Sequence, residues 1–275
     1  MDDWEKEAEE AAKETQRILR KKIAEDQARL QSAIVDLERK MIASLSLLNV
    51  ANRTGSFSTK NIKENLAVAQ KIHGQLNSVF EETYNKTVRK TIYNRTIEKE
   101  VLKNISRVTN KRVRFSGIDR DIINVLNKTN YNQFTTLGKD AQAKIKNALY
   151  NSIAGNGTLE NLREEISSSL TGRLSKRGRP MQQYADLWAN ESNMNLFQTV
   201  NNKKAADAGL DSFLYSGTII KNTRDFCRQR VGKVYKKKEI DTWTFYWKGK
   251  SGAAWTNRGG WNCRHHWQAV DPDWL

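Results

Sequence analysis

Ile23-Ala-Glu-Asp-Gln-Ala-Arg-Leu30-Gln-Ser-Ala-Ile34-Val-Asp-Leu37-Glu-Arg-Lys-Met41-Ile-Ala-Ser-Leu45-Ser-Leu-Leu48 places apolar residues at alternating steps near three and four. That spacing puts them on one face of a helix and gives a coiled-coil-like stripe. Residues 3–52 contain no glycine or proline, so nothing in them interrupts the helix. The stripe has two uses, packing on the next helix of the same chain or docking on another subunit, and different parts of its length can serve each.

Beyond it, Gly55-Ser-Phe-Ser-Thr breaks the pattern, and Ser58 or Thr59 supplies an oxygen to cap a second helix from about Lys60 toward Ile105. Ile62, Leu66, Ala69, Ile72, Leu76, Phe80 and Tyr84 share one side of it. Two long helices and a short turn predict an antiparallel hairpin over 1–105, an assembly arm. His73 lies near this stripe with no second ligand at metal-binding spacing and reads as a packed histidine.

Residues 106–172 read as a helical middle of shorter helices. Ser116 and Asp119 form a cap and first-turn acid for a short helix through Leu126, and Gly138 leads into a new face at Ala141, Ile145, Leu149 and Ile153. Gly155-Asn-Gly157 ends that face, and Thr158 caps a helix burying Leu159, Leu162, Ile166 and Leu170. From 173 to 275 a basic loop (Arg173, Lys176, Arg177, Arg179) precedes a helix over Met181–Ala208, which Gly209 ends in the left-handed conformation. Strands are expected at 213–217, 231–235 and 242–247, the last two folding back as a hairpin that brings Cys227 to Cys263. The fold class is therefore mainly α: a long N-terminal helical hairpin and a helical middle, then a small C-terminal α+β module with a short antiparallel sheet. Removing residues 2–50 is expected to leave that module folded.

The chain of 275 residues has only two prolines and a net charge of +16, while residues 2–14 are acidic. Such an excess favours a polyanionic partner, nucleic acid or an acidic protein surface. Neither a signal peptide nor an apolar run of membrane-spanning length is present, which predicts synthesis in a reducing cytosol and no membrane span.

Both cysteines and two of the three histidines lie in Thr223–Tyr235 and Gly259–Trp267. Cys227, Cys263, His265 and His266 are the ligand types zinc takes, although Cys227 stands alone and adjacent histidines on a strand point to opposite faces. Zinc, a disulfide and two packed thiols all remain open, with packed thiols and no cofactor the expectation. A catalytic reading would use His265 or His266 as acid or base, with Arg224, Lys233 or Arg264 holding phosphate charge, as in a metal-independent nuclease. No paired carboxylates, P-loop or nucleophile motif accompanies them, so no enzyme is expected and no small-molecule substrate. Six of the eight tryptophans lie beyond residue 240 among lysines and arginines, a composition that suits single-stranded nucleic acid as well as a small core. Arg173, Lys176, Arg177, Arg179, Lys236, Lys237 and Lys238 are the candidate phosphate contacts.

The order of these features, Gly157-Thr158 opening a helix, Ala189-Asn-Glu191-Ser inside one, Gly209 ending it, Thr223-Arg-Asp-Phe-Cys227, Gly232-Lys-Val-Tyr, and Gly260-Trp-Asn-Cys263-Arg-His265, resembles the phage minor head proteins, the Mu F-like or phage head morphogenesis family. The resemblance covers roughly residues 150–270, about one ordinary domain. It implies a helical virion protein with a compact Cys/His module, associated with portal or capsid proteins and packaged DNA, located in the head interior or at the portal vertex. Glu191, Arg224, Asp225, Cys227, Gly232, Lys233, Asn262, Cys263, Arg264 and His265 match its motif positions. Many relatives carry further cysteines where this chain has Arg230 and His265, so a site of four thiolates is excluded.

Overall fold

A run free of glycine and proline winds into one 42-residue helix, α1 (Asp3–Ser44), closed by a 3-10 turn at Leu45–Leu47. The structure, a computed structural model, describes residues 3–50, 55–57, 59–83, 86, 95–110, 112–114, 116–155, 157–173, 180–247 and 250–271. Further helices are α2 (Ile62–Thr83), α3 (Thr96–Val108), α4 (Gly117–Ala154), α5 (Leu159–Leu170) and α6 (Met181–Asp207). Then come β1 (Ser212–Ser216), α7 (Asp225–Arg228), β2 (Val234–Lys236), α8 (Lys237–Ile240), β3 (Thr244–Trp247), β4 (Lys250–Ala253), α9 (Ala254–Asn257) and β5 (His266–Val270). The protein is mainly α with a small C-terminal antiparallel sheet, and no described helix is long and apolar enough to cross a membrane.

The expected helix from Lys60 to Ile105 is described as α2 and α3; Ser58, Tyr84 and most of the stretch between the two helices lie outside the described residues. In the helical middle the expectation was wrong at Gly138, because α4 runs unbroken for 38 residues. A mid-helix glycine costs only about 1 kcal/mol relative to alanine. Here its bare face lies under the Phe80 ring, 3.5 Å from where a Cβ would stand.

By its contacts the chain divides into two units that cut across the three segments read from sequence: 1–25, 92–128 and 189–275 form one, 26–91 and 129–188 the other. The interior of the second unit is mostly aliphatic, with Phe57, Phe80, Phe134 and Trp188 also buried. Leu30, Ile34, Leu37, Met41 and Leu45 of the first stripe are buried, as are Ile72, Leu76, Ile145, Leu149, Leu162 and Ile166. Thr158 caps α5 by accepting from Asn161 N at 3.1 Å, and an isolated antiparallel bridge joins Ser56 to Thr158. Asn65 bonds both backbone groups of Asn49 at 2.7 and 2.8 Å, which satisfies polar groups where the chain turns between helices.

In the first unit the N-terminal part of α1 is core. Leu19 and Ile23 join Ile97, Val101 and Ile105 of α3 and Phe197, Tyr215 and Trp267 in one apolar cluster, and Ala8 and Ala12 pack on Leu214 and Val270. Thr15 bonds Asn104 at 2.6 Å and Glu100 at 3.3 Å. The module accordingly includes this part of α1, and the expectation that it folds without residues 2–50 is corrected. Ser116 and Asp119 form the anticipated capping box at 2.5–3.3 Å, and Asp119 also meets Lys204 at 2.5 Å.

The sheet order is β2-β1-β5, all antiparallel, with β3 and β4 as a separate hairpin. The expected hairpin of 231–235 with 242–247 does not form. β2 pairs instead with β1, Phe213 opposite Tyr235, while β3 turns directly back on β4. Gly252 of β4 leaves room for the Phe245 ring against the strand.

Candidate functional site

β1 is buried along its whole length and is central in the sheet, so its side chains organise the site. Tyr215 lies opposite Trp267, their rings 4.2 Å apart, and its backbone exchanges bonds with the 232–233 turn at 2.9 and 3.0 Å. Gly232 makes that turn at φ 82°, a conformation that favours glycine. The Tyr215 hydroxyl then points to two sulfurs, Cys227 Sγ at 3.3 Å and Cys263 Sγ at 3.8 Å.

The sulfurs are 3.8 Å apart, and both cysteines are free and buried. The expected meeting of Cys227 and Cys263 is observed, though by way of β1 rather than the anticipated hairpin. His265 Nδ1 sits 3.5 Å from Cys263 Sγ, and its ring stacks on Tyr215 at 14°. On its other side the ring lies where a Cβ on Gly217 would collide with it. Gly259 is as restrictive, since a Cβ there would run into Cys227 Sγ. Among the described residues, Cys227, Cys263 and His265 are the group of three metal-ligating side chains whose atoms lie within 4.8 Å of one another.

His266, the fourth ligand candidate, turns away and meets the Phe197 ring edge-on at 4.8 Å. Burial pushes its pKa down to about 3, so it is neutral. The sulfurs differ as well. Cys227 is pushed up by its bond to Cys263 and by burial, whereas that same bond, against burial and with help from His265, holds Cys263 well below the ordinary thiol range.

Charged side chains tie the surrounding loop. Arg224 donates to the carbonyls of Gly259 at 2.7 Å and Trp261 at 2.6 Å, closing the segment that carries Cys263 onto the start of α7. From α6, Glu191 accepts from Asn262 N and pairs with buried Arg258 at 3.2 Å. Burial nevertheless leaves the Glu191 pKa above the ordinary carboxylate value, against the pull of Arg258 and the Asn262 amide. Asn190 holds Asn262 at 2.8 Å, and Arg258 and Asn262 both have positive φ, 56° and 58°.

Of the motif positions read from sequence, Glu191, Arg224, Cys227, Asn262, Cys263 and His265 come together, while Asp225, Gly232, Lys233 and Arg264 are exposed. Arg230 lies over the Phe226 and Trp243 rings at 4.0 and 4.3 Å. Tyr215, Gly217, Arg258 and Gly259 were missed as site residues; the Arg-Gly-Gly run beside Cys263 was the available signal for the last two. Trp267 is fully buried, Trp243 and Trp255 pack against the core and Trp261 is exposed, so core use claims most of the described C-terminal rings. Of the candidate phosphate contacts, Lys236 pairs with Asp211 at 2.9 Å, Lys237 pairs with Asp241 and lies over Trp255, and Lys238 is exposed. Lys176, Arg177 and Arg179 lie outside the described residues. Compared with family models, curated proteins and solved structures, the chain matches none of them.

Proposed function

We propose that this chain is a phage minor head protein: a capsid-associated structural component of head morphogenesis that acts near the portal and touches packaged DNA without sequence specificity. One observation carries the reading. Motif residues spread from Glu191 to His265 converge on a single knot, in which Arg224 and Glu191 brace the loop bearing Cys263. Side chains that bond one another and the backbone in this way shape a module; they do not line a cleft.

The first apolar stripe is consumed within the chain, which moves the proposed docking surface from α1 to the module. Ile219, Ile220 and Trp261 are 46%, 60% and 47% exposed there. The net charge of +16 supports DNA contact through counterion release, which predicts affinity that falls steeply with salt and varies little with sequence. The packaged nuclease-like effector using His265 or His266 is less well supported, because both imidazoles are buried.

The test is mass spectrometry of purified particles with cross-linking. Recovery in heads, cross-linked to portal or capsid protein, supports the proposal; absence from particles that contain their other head proteins overturns it. Salt-insensitive or sequence-selective DNA binding by the full chain would remove the DNA part alone.

A further inference from the structure

We infer that Cys227, Cys263 and His265 form a metal site for a borderline-soft divalent cation, zinc above all, with the Tyr215 hydroxyl at the fourth corner. The argument is geometric. Zinc bonds thiolate at about 2.3 Å and imidazole nitrogen at about 2.0–2.1 Å, so a tetrahedral centre has sulfur–sulfur edges of about 3.8 Å and sulfur–nitrogen edges of about 3.5 Å. The two sulfurs are 3.8 Å apart, and Cys263 Sγ is 3.5 Å from His265 Nδ1. Two edges of such a tetrahedron are therefore already in place. The Tyr215 oxygen, 3.3 and 3.8 Å from the sulfurs, occupies a third direction around the same centre.

The surroundings hold this spacing. Gly259 admits the loop against both sulfurs, and the His265 ring is fixed between Gly217 and Tyr215. Two thiolates neutralise a dication, so the bound centre suits burial in a way that a lone charge does not. Metal ligation releases the thiol protons. His266 takes no part. The site mixes sulfur, nitrogen and oxygen, which favours zinc over magnesium or calcium. It stands independently of the particle assignment, since any partner and any location leave these distances unchanged.

The experiment uses the full chain isolated under reducing conditions with zinc in the medium, then dialysed. The expected result is close to one zinc per chain by elemental analysis. Cobalt exchanged into the same protein should show thiolate-to-cobalt charge transfer and the intense visible bands of a tetrahedral centre. His265→Ala should weaken binding at least tenfold, while His73→Ala, outside the cluster, leaves it unchanged. Tyr215→Phe should keep the stoichiometry and alter the visible cobalt bands. The cobalt titration of the unmutated chain needs no variant to fold. Absence of stoichiometric metal together with absence of the charge-transfer band overturns the site, as does a Cys227–Cys263 disulfide in the reductively isolated chain. Metal bound with equal strength by His265→Ala overturns the ligand assignment.

Discussion

The two units of the chain are held together by different physics. In the 26–91 and 129–188 unit the interior is mostly aliphatic rows, Leu30 to Leu45 from one helix and Ile145 and Leu149 from another, with a few rings and polar groups such as Trp188 and Asn65 among them, and what matters along the rows is volume and face. Around β1 the core also buries Glu191, Arg258, His265, His266 and Gln268, and what matters is which atom meets which. A row of leucines tolerates another apolar side chain of equal size. A buried carboxylate braced by one guanidinium and one amide does not.

The largest expected effect is at Arg258. Its loss in Arg258→Ala leaves Glu191 buried without its counter-charge, a cost of about 3–5 kcal/mol in urea unfolding followed by tryptophan fluorescence. Replacing both partners, Glu191→Gln with Arg258→Met, should cost less than Arg258→Ala alone. If the double replacement costs as much, the pair is acting as simple packing and the contrast between the units fails.

Leu149→Ala in the aliphatic unit should cost about 3 kcal/mol, and Leu149→Met less than about 1.5 kcal/mol, because the second keeps the volume. A penalty for Leu149→Met equal to that of Leu149→Ala would mean this interior is as exacting as the module. Next in size is Thr158→Ala, which removes the cap bond to Asn161 and should cost about 1 kcal/mol.

Acid should probe the module through Asp119. Burial raises its pKa, but Lys204 and the amide and hydroxyl of Ser116 outweigh burial and hold it below the ordinary value of 3.8. A carboxyl whose folded pKa is depressed contributes stability that is complete above its unfolded pKa and lost as pH falls through the folded one. Unfolding free energy should therefore drop more gently below pH 3.8 in Asp119→Asn than in the unmutated chain; identical slopes would remove Asp119 from the account. Lys238→Ala, at an exposed site, should change stability by no more than about 0.5 kcal/mol while weakening any DNA contact.

What could be read in advance follows the same division. The α1 stripe, the Thr158 cap and Gly209, at φ 74°, were legible because each depends on local spacing or local backbone conformation. Gly138 misled because a single glycine weakens a helix by only about 1 kcal/mol and a packed helix runs through it. Strand pairing was missed because β2 chooses β1 across a stretch of more than fifteen residues, which no local pattern encodes. The proximity of Cys227 to Cys263 was expected from a hairpin that does not form, so the right outcome rested on the wrong pairing. Arg258 was not legible, since a buried arginine looks like any other cation until its carboxylate partner, on a distant helix, is known.

The split of the first unit across 1–25, 92–128 and 189–275 sets an order of events during synthesis. By the time residue 188 leaves the ribosome, every stretch of the other unit has been made. The sheet must wait: β1 has its neighbour β2 within some twenty residues, but β5 ends only at Val270. Until then Leu19 and Ile23 have Ile97, Val101 and Ile105 to pack on but lack Trp267 and Ala269, so the apolar cluster stays incomplete while most of the chain is made. Removing β5 would leave that cluster without Trp267 and Ala269, so the outer strand of the sheet completes a core begun on α1.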